Sequence, residues 1–321
     1  MPVRDSDPPA LVAFATALAY RDPKTVTAYL STLRDLVTWL ADHPGGTPFH
    51  PHLLTATAVQ GYLDSLAAAG RAPRTRSRAL TAIHRFCAWA VETGVLPRDP
   101  TPRLARPTVI ALAPQELTPD QRFVRKTLVE RADSARLSAV FALGYWAGLR
   151  IGEIAALQLA PCTINARASS LTVVEGKGGK TRTLDLPNPA RSALHTYLYD
   201  NVGAGDSRDP ASRYVFTSQR AAWLRAHDRP DHLSTRGLDH LWRALRQTAT
   251  HAQWTLLADV PLHTLRHDWA HRARAAGWSL EEIAVYAGHQ TRDGAPAIAT
   301  TARYTLPSRE QLKRRVATLP G

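Results

Sequence analysis

Cysteine is scarce in this sequence, and long apolar runs are missing from it. Cys87 and Cys162 are the two thiols among 321 residues, which excludes a disulfide framework and a cysteine metal site. No apolar stretch approaches the roughly 20 residues of a membrane-spanning helix, and residues 1–10 lack the apolar segment of a secretory signal. We therefore expect a soluble cytoplasmic protein, without contact to a membrane, whose thiols are chemically inert.

Acidic residues are few relative to basic ones. The chain has 27 Asp and Glu against 40 Lys and Arg, a formal charge of +13. One explanation is a GC-rich genome that favours arginine; the other is a polyanionic partner, whose counterions basic side chains displace. Clustering favours the partner, because residues 71–85 hold five arginines and no acid. We predict that these arginines face phosphates: Arg71, Arg74, Arg76, Arg78 and Arg85.

Helical periodicity dominates residues 1–100, the first predicted domain. Asp22 and Pro23 are typical of an N-cap and a first helical residue, and apolar residues then recur every three or four positions up to Leu40. Further helices are predicted over about 56–69 and about 74–93, each ending at a glycine. The last of them has an apolar face and an arginine face, which suits a helix packed on its own domain and laid against a duplex.

Proline recurs from Pro97 to Pro119 and predicts an extended linker over residues 101–118. Residues 119–321 form the second predicted domain. Helices are expected there over about 120–148 with a break near Ala132, and over about 189–199, 236–249, 263–276 and 279–287. Two short strands flank a glycine-rich turn after Gly176. The predicted fold class is mainly α with a small β-sheet, that is, α+β.

Two groups of basic residues in the second domain have the chemistry to hold an anion. Arg150 sits at a turn between two helices, where Glu153 could hold it in a bidentate pair; a surface ion pair is the alternative. Lys177, Lys180 and Arg182 lie on or beside the glycine-rich turn, which is either a solvated hairpin tip or a phosphate contact. The G-x-x-x-x-G-K-[ST] spacing of a nucleotide-binding loop is absent.

Histidines follow on a predicted helix. His263, His267 and His271 share one face at four-residue steps, but the glutamate of an H-E-x-x-H zinc motif is missing. Arg266 lies beside two of them and would repel a divalent metal, so we predict an anion rather than a metal at this face. His289, at the end of the next helix, would usually be a C-cap or a core residue.

Tyr304, in the stretch T-T-A-R-Y, is either a packing residue or a nucleophile that other groups activate. In chain order, the motifs A-G-L-R-I-G-E, G-K-G-G-K-T-R, H-T-L-R-H, A-G-H and T-T-A-R-Y resemble those of the tyrosine recombinase family, whose members are lambda-integrase-like or Xer-like. The resemblance covers nearly the whole chain. It implies as catalytic residues Arg150, Lys177, His263, Arg266, His289 and Tyr304, with Glu153 and His267 in support.

This resemblance implies a helical core-binding (SAM-like) domain and a catalytic domain that together form a C-shaped clamp on double-stranded DNA. The activity it implies is site-specific recombination, in which DNA is cut and rejoined through a 3′-phosphotyrosyl intermediate, without metal or cofactor. Inverted half-sites, a homotetramer on synapsed DNA and a monomer or weak oligomer in the free, nucleoid-associated protein are further implications. A DNA-binding protein whose site no longer reacts and a type IB topoisomerase are the alternatives.

The implied chemistry gives each catalytic residue a role. Tyr304 attacks phosphorus, with His263 as the general base and Lys177 as the general acid for the departing oxygen. Three side chains donate to the non-bridging phosphate oxygens, where negative charge develops: Arg150, Arg266 and His289. The phosphotyrosyl bond keeps the energy of the phosphodiester, so rejoining requires no ATP.

Two features depart from the family pattern. His289 and Tyr304 are 304 − 289 = 15 positions apart, a wider gap than is usual, so residues 290–299 predict a lengthened loop before the tyrosine helix. Asp268 and Trp269 replace the more usual Thr-Phe, and Asp268 could orient a histidine or cap a charge. After the tyrosine, a short helix is predicted over about 308–317; the resemblance implies that it docks on a neighbouring protomer, and a frayed chain end is the alternative.

Overall fold

The chain divides into two compact units, Met1–Ala111 and Leu112–Gly321. The computed structural model describes residues 3–109, 116–165, 167–176, 180–201, 205–258, 260–291, 293–305, 313 and 316–318, with the backbone alone at 175, 176, 180 and 304. Of the helices in these ranges, none combines the length and the apolarity that crossing a bilayer requires.

The first unit is helical. Its elements are α1 Pro9–Ala17, α2 Pro23–Ala41, a 3₁₀ turn Pro51–Leu53, α3 Ala56–Ala68 and α4 Pro73–Glu92. Helix α2 begins where the sequence predicts, because the Asp22 carboxylate accepts hydrogen bonds from the backbone N–H groups of Lys24 and Thr25. Helices α3 and α4 end just before Gly70 and Gly94, which have φ of +70° and +72°, the left-handed region that glycine adopts without strain.

The predicted two-faced character of α4 is confirmed. Its apolar side is buried in the core of the first unit, at Leu80, Ile83, Phe86, Cys87 and Ala90. Arg74, Arg78 and Arg85 are exposed and Arg76 is half-buried. Burial raises the pKa of the Cys87 thiol to about 12, which agrees with the expected inertness of this residue.

The proline-rich segment forms no regular helix or strand over its described residues 97–109 and 116–118. Its first part packs on the first unit, where the hydroxyl oxygen of buried Thr101 lies 2.6 Å from Nδ1 of His84. Residues 110–115 of the predicted linker lie outside the described ranges.

The second unit is mainly helical with a small sheet, which confirms the predicted fold class. Its elements in order are α5 Pro119–Arg131, α6 Ala135–Tyr145, α7 Ile151–Ala155, β1 Thr163–Ile164, β2 Ser169–Gly176, β3 Lys180–Asp185, α8 Asn188–His195 followed by a π-helical turn Thr196–Asp200, α9 Ala221–Ala226, α10 Thr235–Gln247, α11 His251–Leu257, α12 Thr264–Ala275, α13 Leu280–Ala287 and α14 Ile298–Tyr304. The strands pair antiparallel in the order β1-β2-β3. The sequence does not predict β1, α9 or α11, which are short elements.

Candidate active site

A left-handed turn places Arg150 at the start of α7. Gly148 has φ of +62°, and a Cβ there would lie 2.4 Å from ring atoms of Trp269, so only glycine fits. Arg150 is the N-cap residue of α7, and its backbone N–H donates to Oε2 of Glu153 at 2.8 Å. The predicted turn between two helices is therefore present, and from it the Arg150 side chain extends towards Ala287 and Gly288.

Arg150 reaches the C-terminal end of α13. Its Nη1 donates to Oε1 of Glu153 at 2.7 Å and to the carbonyl oxygen of Ala287 at 3.4 Å, and its Nη2 donates to the carbonyl oxygen of Gly288 at 3.3 Å. The side chain keeps 22% of its surface exposed. The expected bidentate pair with Glu153 is not formed, because only one guanidinium nitrogen of Arg150 meets the carboxylate.

Arg182 makes that bidentate pair instead. Its Nη1 and Nη2 donate to the two carboxylate oxygens of Glu153 at 2.9 and 3.0 Å, and its Nε donates to the carbonyl oxygen of Tyr286 at 3.1 Å. We predicted Arg182 as a phosphate contact on the hairpin surface, but only 12% of its side chain is exposed. A buried carboxylate takes the planar fork of a guanidinium most readily, and Arg182 joins β3 to the arginine cluster in this way.

Glu153 therefore neutralises several cations in a poorly solvated place. It is 7% exposed, and Nη1 of Arg266 lies 3.7 Å from its Oε2. Burial alone would raise the pKa of this carboxyl, but hydrogen bonds from Arg182 and the charges of Arg182, Arg266 and Arg150 lower the pKa to about 2. Glu153 is thus ionised at neutral pH.

Arg266, on α12, is almost fully buried, with 1% exposed. Its Nη1 donates to the carbonyl oxygen of Gly148 at 2.6 Å, and its Nη2 donates to the carbonyl oxygen of Ala287 at 2.6 Å. The Ala287 oxygen is also an acceptor for Arg150. Two guanidinium groups from distant parts of the chain therefore converge on one oxygen atom.

His289 completes this cluster. Gly288 ends α13 in the left-handed region, with φ of +66°, and His289 follows it with 3% of its surface exposed. Its Nε2 is 2.8 Å from Nη2 of Arg266, and its Nδ1 is 3.0 Å from Oγ1 of Thr301. Burial first, then the charges of Arg266, Arg150 and Arg182, lower the pKa of His289 to about 3, so the ring is neutral.

His263 and His267 lie at the start of α12, with ring centroids 4.7 Å apart. Burial, followed by the charges of Arg266 and Arg150, lowers the pKa of His263 below its ordinary value. Burial is also the main cause that lowers the pKa of His267, to about 4. Among the described residues, no three His, Cys, Asp or Glu side chains are grouped as a metal ion would need.

Asp268 caps charges. It is fully buried, and its two oxygens accept from Nε of Arg122 at 2.8 Å and from Nε of Arg272 at 2.9 Å. This pairing ties α5 to α12. Nearby, the ring of Tyr286 stacks on that of Trp269 with centroids 5.3 Å apart, and burial raises the pKa of the Tyr286 phenol to about 12, so this tyrosine is a packing residue.

The lengthened segment after His289 folds back on itself. Two backbone hydrogen bonds close a small hairpin. The N–H of Thr291 donates to the carbonyl oxygen of Ala295 at 2.8 Å, and the N–H of Ala297 donates to the carbonyl oxygen of His289 at 2.7 Å. Gly294, with φ of +92°, lies at the turn. Helix α14, which ends at Tyr304, therefore begins directly beside His289.

Several predicted residues cannot be compared with this geometry. Lys177 lies outside the described ranges, as do most residues of the helix expected over 308–317. Lys180 and Tyr304 are described by their backbones alone. Their predicted roles therefore remain predictions from the sequence.

Comparison with known proteins identifies the family. The sequence profile of the phage integrase family matches residues 121–310, and that of the phage integrase N-terminal SAM-like domain matches residues 14–94. Tyrosine recombinase XerC of Mycobacterium tuberculosis is 30% identical over 298 residues, 89% of this chain and 88% of the relative. Tyrosine recombinase XerD of Caulobacter vibrioides is 30% identical over 297 residues, 92% of this chain and 89% of the relative.

Solved structures share the fold. A lambda integrase dimer bound to a core site has a TM-score of 0.63 at 14% identity, covering 92% of this chain and 75% of that one. The Tn1549 transposon integrase with transposon right-end DNA has a TM-score of 0.65 at 14% identity, covering 96% and 98%. Since the family profile matches more than half of the chain and the XerC and XerD relatives align over most of it, the chain belongs to the phage integrase family and is a tyrosine-type site-specific recombinase.

Proposed function

We propose that this recombinase cuts and rejoins double-stranded DNA by forming a 3′-phosphotyrosyl bond to Tyr304. The observation that carries the proposal is the convergence of Arg150 and Arg266 on the carbonyl oxygen of Ala287. A site that presents two cations to one oxygen can present them to one phosphate oxygen as well. Helix α14, which carries Tyr304, begins beside the same cluster.

The arginine pair supplies the electrostatic part of catalysis. Arg150 keeps part of its side chain exposed, so a phosphate can reach it and exchange places with the weakly bound carbonyl oxygens at 3.3 and 3.4 Å. Arg266 is held in place behind it by backbone carbonyls. Donors that are fixed before the reaction stabilise the charge that develops on the phosphate, and the loss of one such donor costs about 3–4 kcal/mol.

Proton transfer accompanies the attack. The Tyr304 oxygen forms a bond to phosphorus while its proton passes to His263, whose lowered pKa keeps the imidazole neutral and able to accept. The bond from phosphorus to the 5′-oxygen breaks, and that oxygen takes a proton from Lys177. Glu153 and His267 hold the surrounding groups in place. Rejoining is the reverse of these steps.

DNA is bound by both units in this proposal. In the first unit the arginines of residues 71–85 face the phosphates, and in the second unit Lys180 assists. We propose inverted half-sites and a homotetramer on synapsed DNA, and a monomer or weak oligomer in the free, nucleoid-associated protein. A lambda integrase tetramer bound to a Holliday junction has the same fold, which supports the proposed homotetramer.

Covalent trapping tests the proposal. The purified protein, incubated with a suicide substrate that carries its site, should form a protein–DNA adduct that resists denaturation. Tyr304→Phe should form none while still binding the DNA. Tyr286→Phe is the matched control, because Tyr286 is a stacked packing residue, and it should form the adduct. An adduct with Tyr304→Phe would contradict the assignment of the nucleophile.

The same preparations separate the two alternatives. Tight, salt-dependent DNA binding without an adduct on any substrate would indicate a DNA-binding protein that no longer reacts. Relaxation of any supercoiled plasmid by the monomer would indicate a topoisomerase.

A further inference from the structure

Thr301 connects the tyrosine helix to the arginine cluster. It lies on α14, three residues before Tyr304, and is fully buried. Its hydroxyl oxygen is 3.0 Å from Nδ1 of His289 and 3.1 Å from the carbonyl oxygen of Ala297. A fully buried hydroxyl requires hydrogen-bond partners, and here one partner, His289, belongs to the arginine cluster.

The direction of each hydrogen bond follows from the chemistry of the groups. A guanidinium can only donate, so Nε2 of His289 accepts from Nη2 of Arg266. The neutral ring therefore carries its proton on Nδ1 and donates it to Thr301. The Thr301 hydroxyl in turn donates to the carbonyl oxygen of Ala297. Arg266, His289 and Thr301 thus form one continuous chain of hydrogen bonds.

We propose that Thr301 is a positioning residue of the recombination reaction, a role that rests on the proposed function. It accepts the Nδ1 proton of His289 and so fixes the orientation of the ring, and it ties the helix of Tyr304 to the arginine pair. The hydroxyl accepts from Nδ1–H of His289 while it donates to the carbonyl oxygen of Ala297. A methyl group in its place can do neither.

Backbone contacts also place the tyrosine helix beside His289. The N–H of Ala297 donates to the carbonyl oxygen of His289 at 2.7 Å, so the 15-residue separation from His289 to Tyr304 is largely taken up by the closed hairpin. Helix α14 packs on α12 and α13, the helices that carry or precede Arg266 and His289. The added residues therefore leave the tyrosine helix beside its own cluster.

Substitution at Thr301 tests the hydroxyl directly. Thr301→Val keeps the shape and removes the hydroxyl; we expect the single-turnover rate of adduct formation at saturating DNA to fall about tenfold or more. Thr301→Ser should restore the rate to within a few-fold, and Thr300→Val, at the exposed neighbour, should react like the unmodified protein. DNA affinity and the thermal midpoint of each variant identify any failure to fold.

Nitrogen chemical shifts of His289 provide a readout that a merely structural role would not move. Both proteins should show the Nδ1–H tautomer, because Arg266 sets it, but Thr301→Val should move the Nδ1 resonance to that of an N–H without a hydrogen-bond acceptor. Thr301→Val that reacts as fast as the unmodified protein, or that leaves the Nδ1 resonance unchanged, overturns the inference. Such a result leaves the proposed function intact, because the Tyr304→Phe experiment tests that function separately.

Discussion

Arg150 and Arg266 share one acceptor, the carbonyl oxygen of Ala287 at the C-terminal end of α13. Two like charges so close together would repel each other in a poorly solvated site. The end of a helix carries partial negative charge, and ionised Glu153 adds a full one. The pair is therefore held in place without DNA, and in the proposed reaction a phosphate takes over part of the role of the carbonyl oxygens.

Removal of the Glu153 charge should destabilise the second unit. Glu153→Gln keeps the shape but leaves Arg182 and Arg266 without their carboxylate partner. We expect the free energy of unfolding, measured in urea, to fall by about 3–5 kcal/mol, the usual cost of breaking a buried ion pair. Glu130→Gln, at an exposed position of α5, is the control and should change it by less than about 0.5 kcal/mol. Equal stability of the two variants would refute the role of Glu153.

Acid should weaken the fold before the carboxylates protonate. The folded-state pKa values of His267 and His289, about 4 and about 3, lie below the ordinary value of 6.5. Below pH 6.5 the unfolded chain therefore binds protons that the folded chain does not. The free energy of unfolding consequently decreases as the pH is lowered. At pH 5 each histidine should cost on the order of 2 kcal/mol relative to pH 7.5.

The histidine origin of this loss can be checked by substitution. His267→Gln should reduce the difference in unfolding free energy between pH 7.5 and pH 5, whereas His251→Gln, at the exposed start of α11, should leave it unchanged. If the unfolding free energy changes between pH 7.5 and pH 5 by the same amount in both variants, His267 does not contribute to the loss of stability in acid.

The arginine face of α4 should control the salt dependence of DNA binding. Each phosphate contact contributes about 0.9 to the slope of log K against log salt. Replacement of Arg74, Arg78 and Arg85 by alanine should therefore lower that slope by about 2.7. Arg98→Ala, also exposed but beyond α4, is the control. An unchanged slope in the triple variant would mean that this face does not meet DNA.

Local signals in the sequence predict much of the fold. Helices α2 and α4 follow from apolar periodicity, from the Asp22 cap and from the glycine that ends α4, because these depend on neighbours in the chain. The turn at Gly148 and the position of Arg150 also follow from local chemistry. Elements such as β1 and α11 are too short for periodicity to indicate them.

Pairings between distant residues could not be predicted in the same way. The bond from Arg182 to Glu153 joins residues on β3 and α7, and that from His289 to Thr301 spans the hairpin. One signal for Arg182 was present: on β3 it alternates with exposed Thr183 and shares a face with buried Leu184. That alternation indicates an inward side chain, whereas its closeness to Lys180 suggested a surface position.

The most direct measurement of the central claim uses a substrate with an uncharged methylphosphonate at the cleavage position. If Arg150 and Arg266 both neutralise that phosphate, alanine at either position should slow strand cleavage of the ordinary substrate by about 10²–10³-fold. On the methylphosphonate substrate, the rate reduction caused by each alanine variant should be at least tenfold smaller. Tyr304→Phe should cleave neither substrate. Deficits of equal size on the two substrates would contradict the convergence of both arginines on one phosphate.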